Sequence, residues 1–138
     1  MINFFSKFKI IFYCSNFFLT LLYLFPGSLL GLIIYNDKKI QPQITSDFII
    51  SSNHFIAFAF ISIIGFFTFR KKKEVTPLIF YLIFLSIILE IFHLIIPERS
   101  FQWADLLGNL LGVVIVIFIN NLINILNRSK NRLKDSLI

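Results

Sequence analysis

The stretch 90–105, EIFHLIIPERSFQWAD, sets ionisable groups inside an otherwise apolar sequence. On a helix, Glu90 and His93 are three residues apart and share one face, with Ser86 a turn earlier. A carboxylate beside an imidazole in a low-dielectric setting suits proton transfer or the holding of a charged ligand. Pro97 and Glu98 then end that helix, and the planar fork of Arg99 matches a phosphate or carboxylate. Asp105, Asn109 and Gly112 recur at i, i+4 and i+7, a stripe on the next helix, with Gly108 on the same side. Asn53 and His54 open an earlier apolar run and enter from the same end. The candidate polar pocket is therefore His54, Glu90, His93, Arg99, Asp105 and Asn109. Glu90 or His93 could serve as a general base on a phosphoester or glycosyl substrate, but no nucleophile stands in a catalytic arrangement, so no residue is assigned as catalytic. Glu-x-x-His matches half of a di-iron bundle motif and occurs once; neither a metal nor another cofactor is expected. The structural alternative is an internal staple, in which Arg99 and His93 satisfy Glu90 and Asp105 so that helices pack one way.

The elements that position these residues follow from composition. The chain has 138 residues, of which 57% are hydrophobic and 14% charged, and its mean hydropathy is +0.85. A domain of this size cannot hide so much apolar surface from water. Apolar runs at 10–35, 51–69, 76–96 and 104–126 lie near or beyond the ~18 residues that mark a membrane-crossing helix. The expected fold is an all-α membrane protein with four transmembrane helices over residues 1–126, followed by a basic cytoplasmic tail, 127–138. Glu90 then sits ~10 Å inside the end of its helix, where a lipid-facing carboxylate costs ~3 kcal/mol. It must face protein or a hydrated pocket, or be protonated. The short link between the third and fourth runs makes them antiparallel neighbours, which brings Glu90 and His93 to Asp105 and Asn109 and lets Arg99 cap either acid. Gly108 and Gly112 form a GxxxG pattern that permits close approach of another backbone.

Thirteen Lys and Arg residues give a net charge of +6. Lys7 and Lys9, the run Arg70–Lys71–Lys72–Lys73, and Arg128, Lys130, Arg132 and Lys134 fall on one side of the expected bundle. Only Lys38, Lys39 and Arg99 fall on the other. The positive-inside rule puts both termini and the RKKK loop in the cytoplasm and the polar stretch outside. Charges in short runs beside apolar spans fit membrane topology, and no nucleic-acid partner is expected; the tail can rest on anionic headgroups. The first run is read as a retained helix, bent or ended at Pro26, since no A-x-A-like cleavage site follows it. Cys14, the lone cysteine, is read as a small packing residue.

The ordered set Glu90, His93, Pro97, Arg99, Asp105, Asn109 and Gly112 resembles the signature of the VanZ-like family of small bacterial membrane proteins, E-x-x-Q leading through a P-x-R turn to D-x-x-x-N-x-x-G. Pro26–Gly27 after the first helix and His54–Phe55 opening the second also fit, so the resemblance runs from about residue 19 to residue 119. It implies a multi-pass protein of the bacterial inner membrane in a cell-envelope setting, where the founding member is linked to low-level resistance to the glycopeptide teicoplanin. It implies no particular reaction. Two departures stand out. The family's Asp-Lys pair before its His is Ile50 and Ser51 here, with Asp47 the nearest substitute, and its Gln is His93. With this setting, the expected partners are membrane lipid, a lipid-linked saccharide or surface-polymer precursor, or another envelope membrane protein docking on the GxxxG seam.

Overall fold

The computed structural model describes residues 4–46 and 49–135. Asp47, the possible stand-in for the missing Asp-Lys pair, lies outside the described residues. Among those described there are five helices and no strand: α1 Phe4–Leu24, α2 Leu29–Tyr35, α3 Ser52–Thr68, α4 Lys72–Phe92 and α5 Trp103–Asp135.

The first apolar run is two helices set at 85° to each other. The break has a local cause. Proline has no N–H for the ladder and disfavours helical geometry in the residue before it, so α1 stops at Leu24, just ahead of Phe25–Pro26. Ser28 then restarts the chain as an N-cap, its Oγ accepting the Gly31 N–H at 2.9 Å. Asn36 closes α2 in the left-handed region, φ 55°, a conformation that asparagine tolerates better than most residues. α4 ends at Phe92, short of the end of its apolar run, and tight turns lead through Pro97 to α5. At 33 residues, α5 is ~50 Å long, well beyond the ~30 Å of a hydrocarbon core. The segment set apart as a tail is, through Asp135, its helical continuation. α4 and α5 are each long and apolar enough to cross a membrane, α1 and α2 only as a bent pair, and α3 has 17 residues.

α3 packs on α5 and α1, and α4 on α5. The core between them consists of Phe12, Leu19, Tyr23, Phe58, Ile61, Leu78, Leu82, Leu85, Leu89 and Val113. Phe17, Phe18, Phe80, Phe84 and Phe118 point outward and are more than half exposed, an apolar exterior that only lipid would cover at low cost. Cys14 lies on this exposed side rather than in the packing, since the buried stripe of α1 runs through Phe12, Asn16, Leu19 and Tyr23.

The GxxxG seam faces α3. A Cβ built at Gly108 would stand 2.7 Å from the Ser51 carbonyl oxygen, and one at Gly112 would stand 2.5 Å from that of Phe55. Side chains essentially never come so close to backbone, so these two glycines set the α3–α5 separation. The closest partner of the fourth apolar run is thus the second run, although α4 also touches α5 as their short link requires. Gly112→Leu is expected to destabilise the protein by more than the ~1–3 kcal/mol typical of overpacking, because backbone rather than a mobile side chain must move. Thermal melting in detergent measures this, and wild-type melting of the variant would refute the seam.

Candidate functional site

The polar residues converge where α1, α3, α4 and α5 meet, below the loop 93–102 and the described loop residues 36–46. Their positions follow from the helix geometry. Ser86 and Glu90 line the inner face of α4, His93 caps its C-terminal end, and all three are buried. The α3–α5 seam brings His54 down beside Asp105 and Asn109, and the Ser51 N–H donates to the Ala104 carbonyl at 3.1 Å to fix the register of the two helix starts.

Glu90 is at the centre, with no exposed surface. Its Oε1 accepts the Gln102 N–H at 2.9 Å. Its Oε2 has no hydrogen-bond partner, although His93 Nδ1 is 3.2 Å away and His54 Nδ1 3.9 Å away. Closeness alone does not make a hydrogen bond, and His93 Nδ1 faces Oε2 at ion-pair distance without one. His93 turns its other nitrogen, Nε2, to the Tyr23 carbonyl at 3.1 Å. His54 places Nδ1 3.2 Å from Asn109 Oδ1 and Nε2 3.5 Å from Asp105 Oδ2. Asn109 is buried and bonded at both ends of its amide: its Oδ1 also accepts the Tyr23 hydroxyl at 2.7 Å, and its Nδ2 donates to the Ser86 carbonyl at 3.2 Å. His54, Glu90 and Asp105 each offer one ligand atom within 4.8 Å of the others, a metal-compatible grouping that the spacing of Glu90 and His93 alone did not suggest.

Arg99 behaves differently from expectation. Instead of capping Glu90 or Asp105, its guanidinium donates to the Leu22 and Phe25 carbonyls, at 3.0 and 3.3 Å. These oxygens are left open because the proline break ends α1 there, and a cation suits the negative end of a helix. No described carboxylate lies within ion-pair distance of it. Partial burial draws the Arg99 pKa down from its ordinary value, opposed chiefly by Asp105.

Tyr23 is the participant that the motif reading missed. Its ring stacks on His93 with centroids 5.8 Å apart and meets His54 edge-on at 4.9 Å, so it joins α1 to both histidines and to Asn109. The signal was present in α1, where Asn16 and Tyr23 lie seven residues apart on one helical face. Asn16 makes a parallel link deeper in the bundle, accepting the Tyr81 hydroxyl at 2.7 Å.

Above this cluster is a polar cleft of about 400 Å³, lined among others by Lys38, Lys39, Ser51, His54, Arg99 and Asp105. An apolar groove of about 490 Å³ adjoins it, with Leu19, Leu22, Leu30, Ile34, Ile56 and Phe60 in its walls. His54, His93 and Arg99 border both. Lys38 reaches across the cleft rim to Glu98 at 2.8 Å, and Asn53 pins the loop above by accepting the Ile44 N–H and donating to the Pro42 carbonyl, at 2.9 and 2.6 Å.

Tyr23→Phe removes one donor from the buried Asn109 amide while leaving the ring in place. The expected cost is ~0.5–1.5 kcal/mol, read as a lowered melting temperature; unchanged melting would mean that the Tyr23–Asn109 bond does not hold α1 to α5.

Comparison with curated proteins and with solved structures returns no match. A family model described as VanZ/LLP1 matches residues 2–124, a range that takes in α1 to α4, most of α5, the proline break and the cluster around Glu90. The chain belongs to the VanZ/LLP1 family of membrane proteins.

Proposed function

We propose that this protein is a multi-pass component of the bacterial inner membrane whose outward-facing cleft binds an anionic, lipid-linked envelope component, a saccharide or surface-polymer precursor, and thereby affects glycopeptide susceptibility. The observation that carries this reading is the junction of two unlike compartments. A cleft with Lys38, Lys39 and Arg99 in its walls opens beside a groove of Leu, Ile and Phe, the shape and polarity of an amphiphile with a charged head and a hydrocarbon tail. Lys39 is exposed at the rim, and Lys38 gives up only a half-exposed pair with Glu98, worth ~0–1 kcal/mol. Arg99, anchored by carbonyls through two of its nitrogens, keeps its charge at the boundary between head and tail.

In the proposed topology α1–α2, α3, α4 and α5 are four spans with both termini cytoplasmic. This reading rests on the charge distribution, and it puts the cleft on the outer side. The accessory-subunit reading has less support, because the GxxxG seam that would dock a partner is taken up by α3 within the chain.

Two measurements test this. In a Cys14→Ala background, Lys39→Cys is expected to react with an impermeant thiol reagent in intact cells and Lys72→Cys to be protected; the reverse pattern would place the cleft in the cytoplasm and end the envelope reading. In detergent, a polyprenyl phosphate is expected to bind the purified chain and the matching polyprenyl alcohol to bind at least ~10-fold more weakly, a loss of ~1.4 kcal/mol. Lys38→Gln with Lys39→Gln is expected to remove that preference without lowering the melting temperature. Equal binding of phosphate and alcohol by the wild type would refute an anion site.

A further inference from the structure

The polar cluster contains two places where electron pairs face each other. His93 Nε2 is 3.1 Å from the Tyr23 carbonyl, which can only accept, so a ring with one proton carries it on Nε2 and turns its Nδ1 electron pair to the side of the Glu90 carboxylate, 3.2 Å away. The same reasoning applies to His54. Asn109 Oδ1 is an acceptor, because its amide nitrogen donates to Ser86, so His54 donates from Nδ1 at 3.2 Å and turns the lone pair of Nε2 toward Asp105 Oδ2 at 3.5 Å. Glu90 Oε2, fully buried and without a hydrogen bond, completes the set. Two carboxylates and two imidazole lone pairs converge with no fixed cation among the described residues: Arg99 is bound to the end of α1, and Lys38 pairs with Glu98 at the rim. A buried carboxylate such as Glu90, left in this way, is costly.

We infer that the cluster is a metal site, in which His54 Nε2, Glu90 Oε2 and Asp105 bind one divalent transition-metal ion such as Zn²⁺ or Mn²⁺. One imidazole nitrogen and two carboxylates are a borderline-to-hard donor set that suits these ions and disfavours copper(I), which seeks thiolates. Ligand atoms around a tetrahedral ion at ~2.1 Å stand about 3.4 Å apart, close to the 3.5 Å between His54 Nε2 and Asp105 Oδ2. The three ligand atoms already lie within 4.8 Å of one another. The surrounding hydrogen bonds are those a metal ligand needs: Asn109 fixes the His54 tautomer and Gln102 orients Glu90. His93 Nδ1 lies beside the same Glu90 oxygen as a possible fourth donor. Since His54 and Asp105 also line the polar cleft, the ion has an entry path and presents its open coordination position to the cleft, where its charge adds to that of Lys38, Lys39 and Arg99.

The inference goes beyond the anionic-ligand reading and does not depend on it. The test uses the full chain in detergent, stripped with chelator and supplied with Zn²⁺ or Mn²⁺ alone, with no lipid. Bound metal after desalting, measured by elemental mass spectrometry, is expected at one ion per chain with a raised melting temperature. His54→Gln and Asp105→Asn are expected to weaken binding at least ~10-fold, as loss of a supporting contact already does in metal sites. Asp105 is partly exposed, so Asp105→Asn is the variant expected to fold normally, checked by circular dichroism. Absence of metal from the wild type would overturn the inference and leave protons as the missing cations, while lipid binding stood or fell separately. Equal retention by Asp105→Asn and wild type would also overturn it.

Discussion

Glu90 has no exposed surface in a bundle whose outside is apolar, and most of the structure around it answers that constraint. A carboxylate in such a place is tolerated only when its oxygens are met by donors or cations. One oxygen is met by a backbone N–H from Gln102, which the loop can deliver only because α4 stops at Phe92 and the chain turns back at once into α5. The other faces two imidazoles, one from α4 and one from α3. For His54 to reach it, α3 must lie against α5 at a distance that any side chain at positions 108 or 112 would forbid. The glycine seam and the buried acid are thus one device: the first sets the spacing that the second requires.

Apolar burial does little to choose one helix arrangement over another if the surroundings are lipid, because leucine is as comfortable against an acyl chain as against leucine. Close packing and hydrogen bonds across helices must then specify the bundle. They occur here at two depths. Tyr81 to Asn16 ties α4 to α1, and Tyr23 to Asn109 with Asn109 to Ser86 ties α1, α5 and α4 together near the cleft. Each is worth ~0.6–1.7 kcal/mol in such a setting, modest singly but directional, which is what apolar contact lacks.

The helical, membrane-embedded character was legible because it depends on composition and run length, which averaging makes robust. The juxtaposition of Glu90 and His93 followed from helical spacing alone, and the short turn after Pro97 predicted their nearness to Asp105 and Asn109. Three features were not legible for physical reasons. Arg99 looked like the partner of the acids because charge attracts charge, yet the proline break at the end of α1 exposes carbonyls that compete for it, and where those carbonyls point is a tertiary matter. α5 exceeded its apolar run because helix continues as long as backbone geometry allows, while hydropathy marks only where lipid would end. Tyr23 was hidden because an aromatic residue within nineteen phenylalanines and other apolar neighbours reads as core, and only its hydroxyl sets it apart.

In the E-x-x-Q pattern that this stretch resembles, His93 stands in place of the glutamine, and the geometry gives that difference a chemical meaning. A glutamine amide carries both a donor and an acceptor, so it could accept nothing from the Tyr23 carbonyl but donate to it or to Glu90 without adding a titratable group. An imidazole with one proton, committed to the Tyr23 carbonyl, presents only a lone pair to Glu90 Oε2. The exchange therefore removes a donor from the neighbourhood of a buried acid and adds a potential ligand in its place. Such a change is unfavourable while the two groups face each other unpaired, and the proposed metal ion would relieve it. The stacking of Tyr23 on His93 holds the ring in the orientation that keeps its lone pair on Glu90, so the residue that ties α1 into the bundle also fixes which atom of His93 the site can use.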